Sequence, residues 1–159
     1  MKKIASFEID HLKLLPGIYV SRKDYLTEDV LTTFDLRFTR PNFEPVMGTG
    51  AIHALEHLGA SFLRNNPQFK ERIIYFGPMG CRTGFYLILN GDLKSKDIVG
   101  LISEMIEFVL NFEGQIIGAS PVECGNYIDM DLNMAKFYAN KYKEEVLKNM
   151  TEERLNYPN

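Results

Sequence analysis

The pentapeptide His53-Ala54-Leu55-Glu56-His57 places the strongest requirement on the fold, because its polar residues act together only on a helix. An α-helix turns roughly 100° per residue, so histidines four positions apart project from one face, with Glu56 at its edge. Two imidazoles at this spacing can bind one tetrahedral metal ion, and a carboxylate beside them can move a proton. The order H-x-x-E-H inverts the H-E-x-x-H motif of metalloproteases and is itself a metal-site pattern. The motif therefore predicts a helix that carries two metal ligands.

The alternative is that two histidines share a helical face by chance. The chain contains three histidines, and two of them form this pair. The residues around the pair are mostly apolar, which indicates a half-buried setting where imidazoles need polar partners. These apolar neighbours favour the metal interpretation: Ala54, Leu55, Leu58, Ala60, Phe62 and Leu63.

The length of 159 residues suits one domain, residues 1–159, with a substantial core. Hydrophobic residues make up 45% and charged residues 25% of the chain, as in ordinary soluble proteins. A net charge of −3 without a basic run argues against nucleic acid as a partner. No apolar stretch is long enough to cross a bilayer, and Glu8, Asp10 and His11 interrupt any signal peptide. We therefore expect a cytoplasmic protein.

Residue alternation and turn signals predict four strands, at 18–23, 31–39, 71–76 and 83–89. Apolar periodicity predicts three helices: 50–65 with Thr49 as N-cap, one capped by Ser95 and running to 112, and 131–149. The strands are joined by hairpins and loops, and the helices lie elsewhere in the chain. This order predicts an α+β fold in which an antiparallel sheet packs against helices.

The two cysteines, Cys81 and Cys124, form no C-x-x-C motif and are expected as free thiols. A catalytic metal site usually takes three protein ligands, and Cys124 lies in an irregular Glu-Cys-Gly loop that suits the third. Cys124 is equally compatible with a structural role as a small, buried hydrophobic residue. Cys81 lies between Gly80, expected to allow a sharp turn, and Arg82. A thiol beside a cation or a metal has a lowered pKa, so Cys81 is a candidate base or nucleophile, or else a structural residue at a strand entrance.

Five segments, in this order and spacing, are more specific than H-x-x-E-H alone: Ser6-Phe7-Glu8-Ile9-Asp10-His11, Phe34-Asp35-Leu36-Arg37-Phe38 with Pro41-Asn42, His53-Ala54-Leu55-Glu56-His57, Pro78-Met79-Gly80-Cys81-Arg82-Thr83-Gly84-Phe85-Tyr86, and Glu123-Cys124-Gly125. Through them the sequence resembles the S-ribosylhomocysteine lyase (LuxS) family. The resemblance implies a homodimer of small α+β subunits with a divalent metal, Fe²⁺, which Zn²⁺ or Co²⁺ replaces. It implies cleavage of S-ribosylhomocysteine to homocysteine and 4,5-dihydroxy-2,3-pentanedione, the precursor of the autoinducer-2 quorum-sensing signal.

The resemblance also implies a role for each matching residue. The implied metal ligands are His53, His57 and Cys124. The implied acid/base pair, acting on the two sides of the sugar, is Glu56 and Cys81. The implied lining of the substrate pocket, which lies at the subunit interface in the family, is Ser6, His11 and Arg37.

Two other classes of function are compatible with H-x-x-E-H. In a metallopeptidase of the inverzincin type, Glu56 would activate water on the metal, and Cys81 would have no role. The chain is also short for such a peptidase. A non-catalytic metal-storage module would require a closed site with four ligands. We expect Asp10 and Asp35 to support turns or hydrogen bonds rather than catalysis.

Overall fold

The computed structural model describes residue 4 and residues 7–158. Its strands are β1 (Gly17–Tyr25), β2 (Val30–Arg37), β3 (Ile73–Pro78) and β4 (Gly84–Asn90). Its helices are α1 (Thr49–Asn65), α2 (Val99–Asn111) and α3 (Leu132–Glu145). The four strands form one antiparallel sheet in the order β1-β2-β4-β3. The predicted α+β fold with an antiparallel sheet is confirmed.

The sheet has two chemically different faces, which follow from the alternation of residues along β2. Phe34 and Leu36 are fully buried in the hydrophobic core that the helices complete. Asp35 and Arg37 alternate with them and therefore project from the opposite face. The inner strand β2 thus has apolar residues on the face that packs against the helices and a buried charged pair on the opposite face.

The three helices form a layer over the apolar face of the sheet. Helix α1 contacts β3, α2 and α3, and α2 also contacts α3. The predicted apolar face of α2 is buried, at Leu101, Ile102, Met105, Ile106 and Val109. Among the residues that the structure describes, no helix is both long and apolar enough to cross a membrane.

Two helix starts differ from the sequence prediction. Helix α1 is capped by Gly48 without a side-chain hydrogen bond, and Thr49 is its first residue rather than its cap. Ser95 begins a short 3₁₀ turn, Ser95–Ile98, and α2 starts only at Val99. The Ser95 hydroxyl donates to the Leu155 carbonyl at 2.8 Å, so a long-range partner replaces the expected cap.

Two further boundaries differ because short 3₁₀ turns occupy the ends of predicted elements. The strand expected from residue 71 begins at Ile73, since Lys70–Arg72 forms such a turn. The helix expected to reach residue 149 ends at Glu145, and Leu147–Asn149 forms a separate turn. Val146 between them is fully buried, which fits the chain bending around the core there.

Candidate active site

Three potential metal ligands from two parts of the chain converge in the structure. His53 and His57 lie one turn apart on α1, and Cys124 comes from the long loop between α2 and α3. Their ligand atoms all lie within 4.8 Å of one another. The Cys124 Sγ is 3.4 Å from His53 Nε2, and the two imidazole centroids are 4.9 Å apart. All three residues are half-buried, so the group is reachable from solvent.

Each imidazole is oriented by a hydrogen bond at its other ring nitrogen. His53 Nδ1 lies 2.9 Å from Asp129 Oδ1, and His57 Nδ1 lies 2.9 Å from the Ile117 carbonyl. Donation from Nδ1 to these acceptors leaves the lone pair on Nε2, where a metal ion can bind. Sequence reasoning missed both partners. The only available signal was a carboxylate five residues after Cys124.

The loop that carries Cys124 is held against α1 at two points. Gly118 has φ +76° and lies so close to His57 that an added Cβ would be 3.0 Å from Nδ1. Glycine therefore suits this position both for its conformation and for its lack of a side chain. At the other end, Asp131 N donates to the Gly50 carbonyl at 3.0 Å, and the Asp131 carboxylate caps α3. These contacts fix the loop across the ligand-bearing face of α1.

The donor set fits a divalent transition metal. Two neutral imidazoles and one thiolate are the ligands that Zn²⁺, Fe²⁺ and Co²⁺ accept readily. Tetrahedral ligands at normal bond lengths lie about 3.5 Å from one another, which matches the separation of Cys124 and His53. Three protein ligands leave one position for water or substrate, as in catalytic sites.

Glu56 lies beside the ligand group without joining it. Its half-buried side chain lines a shallow cleft with His57, Phe76 and Ile117. Glu56 thus shares a cleft with His57, one of the three candidate ligands.

Cys81 lies in the loop between β3 and β4 and is exposed. Its Sγ is 3.1 Å from Thr83 Oγ1 and 3.8 Å from Arg37 Nη1. Burial acts to raise the pKa of Cys81, but hydrogen bonds from Thr83 and the Arg37 charge outweigh it, so the pKa is lowered. The left-handed residue of this loop is Arg82, with φ 59°.

Arg37 connects the thiol to a buried polar network. Its Nη1 donates to Thr83 Oγ1 at 2.5 Å, and its Nη2 forms an ion pair with Asp35 Oδ2. Because Arg37 projects from the sheet face opposite the helices, the Cys81 thiol is directed toward that face. Asp35 therefore holds the Arg37 guanidinium through a hydrogen-bonded ion pair, and a hydrogen-bonding role for Asp35 was expected from the sequence.

The remaining predicted site residues lie at the amino-terminal end. Burial raises the pKa of Asp35, and His11 is among the neighbouring groups whose electrostatic interaction opposes that rise. The His11 Nδ1 is 2.9 Å from the Ile9 carbonyl oxygen. Asp10 accepts a hydrogen bond from Leu12 N at 3.0 Å, which confirms its predicted role in a turn. Ser6 lies outside the described residues. The structure thus places His11 and Arg37 near Asp35, with Cys81 reached through Arg37, and His53, His57 and Cys124 form a separate group.

The lowered pKa predicts that the Cys81 thiol stays reactive below the pH at which an ordinary cysteine is protonated. Alkylation by iodoacetamide should keep its rate as the pH falls, and should decline tenfold per pH unit only below the lowered pKa. Peptide mass spectrometry can follow Cys81 separately from Cys124. A pH profile equal to that of a free cysteine would contradict the prediction.

Removing the partner of His53 should weaken metal binding without abolishing it. Residues that orient a metal-bound histidine typically contribute about 10–100-fold to affinity, so we expect a loss of this size in Asp129→Ala. Competition with a chromophoric chelator measures it. Glu123→Gln is the matched control, since Glu123 belongs to the same loop but bonds to Ser120. Equal affinities for the two variants would contradict the proposed support of His53.

Fold and site together define a class of protein: a small α+β protein with a His/His/Cys group that could hold a metal ion and a separate thiol of lowered pKa. The sequence model of the family described as S-ribosylhomocysteinase (LuxS) matches residues 4–153. A protein of Finegoldia magna named S-ribosylhomocysteine lyase is 65% identical over 158 residues, 99% of each chain. Proteins of Clostridium beijerinckii and Phocaeicola vulgatus with the same name are 61% and 55% identical, covering 100% and 99% of this chain and 100% and 98% of theirs. The chain belongs to the LuxS family.

Proposed function

We propose that this protein is a metal-dependent carbon–sulfur lyase that cleaves S-ribosylhomocysteine to homocysteine and 4,5-dihydroxy-2,3-pentanedione. The observation that carries the proposal is the full-length identity to proteins named S-ribosylhomocysteine lyase. The His53, His57 and Cys124 group supplies the metal centre that this chemistry needs. The products fit the production of autoinducer-2 and the recycling of homocysteine in the methyl cycle.

The reaction consists of proton transfers followed by an elimination. The carbonyl group must move along the ribose until the C–S bond stands β to it, and the homocysteine thiolate then leaves with the bond electrons. A divalent metal held by His53, His57 and Cys124 supplies Lewis acidity that stabilises charge on the sugar oxygens. The oxidation at one sugar carbon balances the reduction at its neighbour, so no electron carrier is required.

Cys81 and Glu56 are the proposed acid/base residues. The Cys81 thiolate, stabilised by Arg37 and Thr83, removes a proton from carbon next to the carbonyl and returns it to the neighbouring carbon. Glu56, beside His57, exchanges protons at the sugar during the carbonyl shifts and the elimination. Residues Ser6, His11 and Arg37 are proposed to bind the substrate.

The arrangement of these groups supports a homodimer with active sites at the interface. In one chain the metal ligands belong to the helix layer, whereas Arg37 directs Cys81 to the opposite face of the sheet. A second copy can bring the two groups together. Exposed large apolar side chains provide area for such an interface: Phe7, Leu12, Val122, Ile128 and Phe137.

The proposal also includes the identity of the metal, the domain organisation and the cellular location. Fe²⁺ is the proposed metal, with Zn²⁺ or Co²⁺ able to occupy the same donor set. Residues 1–159 are proposed to form a single S-ribosylhomocysteine lyase-like domain. A cytoplasmic location remains our expectation from the sequence.

The metallopeptidase alternative gains no support from the family match or the relatives. It also leaves the contacts of Cys81 with Arg37 and Thr83 without a purpose. The decisive experiment incubates metal-loaded protein with S-ribosylhomocysteine and detects homocysteine with a thiol reagent. We expect one thiol released per substrate consumed. Intact substrate in the presence of bound metal and reduced Cys81 would refute the lyase.

A further inference from the structure

The carboxyl-terminal segment after α3 is attached to the sheet beside the buried charged pair. Arg154 Nη1 donates to the Pro16 carbonyl at 2.7 Å, and the Leu155 carbonyl accepts from Ser95. Gly17 permits this docking, because an added Cβ would lie 2.4 Å from the Arg154 carbonyl oxygen. Leu155 is buried in the core. These contacts fix the position of the next aromatic residue, Tyr157.

Tyr157 places its hydroxyl on the Asp35 carboxylate. The hydroxyl donates to Asp35 Oδ2 at 2.8 Å, and its ring stacks on Tyr19 with centroids 4.9 Å apart. Burial and then the Asp35 charge raise the pKa of Tyr157, so the hydroxyl keeps the proton that it donates. Among the described residues, Asp35 Oδ1 has no partner, so the bonds to Oδ2 set the orientation of this carboxylate.

A continuous chain of contacts therefore leads from Tyr157 to the reactive thiol. Asp35 Oδ2 receives Tyr157 and the Arg37 Nη2, and Arg37 Nη1 reaches Thr83 and the Cys81 Sγ. We propose that Tyr157 is a positioning residue for Cys81, holding Asp35 so that Arg37 stays against the thiol. Tyr157 lies after residue 153, where the family match ends.

The effect passes through Arg37, whose charge stabilises the Cys81 thiolate. Without the Tyr157 hydroxyl, the Asp35 carboxylate keeps, among the partners that the structure describes, its bond to Arg37 and can turn about it, so the guanidinium is held less firmly. The thiolate then loses part of its stabilisation. The other titratable groups beside the two anions are left in place by the substitution. Those near Asp35 are Tyr19 from β1, Tyr86 from β4, Tyr142 from α3 and His11 from the amino-terminal segment, and Tyr86 is also near Cys81.

The test is the pH profile of Cys81 alkylation in Tyr157→Phe, which removes the hydroxyl and keeps the ring. We expect the apparent pKa of Cys81 to rise by about 0.5, which is roughly a threefold loss of thiolate at lower pH. Tyr157→Leu should give the same rise, although it also loses the stacking on Tyr19 and therefore has a lower melting temperature. Agreement between the two variants assigns the effect to the hydroxyl.

Tyr19→Phe is the matched control, because it removes a hydroxyl from the same stacked pair. That hydroxyl bonds to the Leu15 and Glu153 carbonyls rather than to Asp35, so the pKa of Cys81 should stay at its wild-type value. An unchanged or lowered pKa of Cys81 in Tyr157→Phe would overturn the proposal. The proposal rests on the function proposed for Cys81, but the measurement uses no substrate. Failure of the lyase assay is therefore distinguishable from failure of this test.

Discussion

Cys124→Ala should release the metal and abolish turnover. The substitution removes the only sulfur ligand and leaves two imidazoles, too few to hold a divalent ion firmly. The loss of affinity should exceed the roughly 10–100-fold that follows from removing a supporting residue such as Asp129. Elemental analysis after gel filtration measures the metal content, which we expect to fall from about one ion per chain to almost none.

Cys81→Ala is the control for metal loss, since Cys81 contacts Arg37 and Thr83 rather than the ligand group. It should keep its metal. A Cys124→Ala protein that retains a full equivalent of tightly bound metal would remove Cys124 from the ligand set. Circular dichroism of both variants distinguishes a lost ligand from a lost fold.

Cys81→Ala should lower turnover by about 10²–10⁴-fold while the metal content stays normal. The physical reason is that the chain then lacks the thiolate that Arg37 and Thr83 stabilise. Release of homocysteine under substrate saturation measures the effect on kcat. We do not expect Glu56 to compensate, because the proposed mechanism places the two bases on different sides of the sugar.

Cys81→Ser tests whether the size of the side chain or its proton affinity matters. A serine hydroxyl fits the same space but is a far weaker acid than a thiol, so the variant should be nearly as slow as Cys81→Ala. Turnover of Cys81→Ala within a few-fold of the unmodified protein would exclude Cys81 as a catalytic residue. It would not affect the assignment of the metal ligands.

The parts of the fold that local patterns determine were predictable from the sequence. Alternation at Phe34, Asp35 and Leu36 predicted β2 and its apolar face, but not that Asp35 and Arg37 on the other face would also be buried. The H-x-x-E-H motif predicted a helix with His53 and His57 on one side, as observed in α1. Helix starts were less predictable, because Ser95 uses its hydroxyl for Leu155, sixty residues away.

The supporting residues of the site could not be predicted because they act over long distances along the chain. Asp129 bonds to a histidine 76 positions earlier, and Tyr157 bonds to a carboxylate 122 positions earlier. No spacing rule relates such pairs. The resemblance supplied the residues proposed to carry the chemistry, whereas only the folded chain shows which groups orient them.

Helix α1 contributes both to the hydrophobic core and to the candidate metal site. Its Ala54, Leu55 and Leu58 are packed into the centre of the molecule, while His53 and His57, on the same turns, are candidate metal ligands. Heat that loosens this packing must therefore disperse the ligands, so inactivation and melting should occur together. Conversely, an ion present at about 1,000 times its dissociation constant would raise the unfolding free energy by about 4 kcal/mol. The availability of metal in the cell thus becomes a determinant of how long each molecule survives.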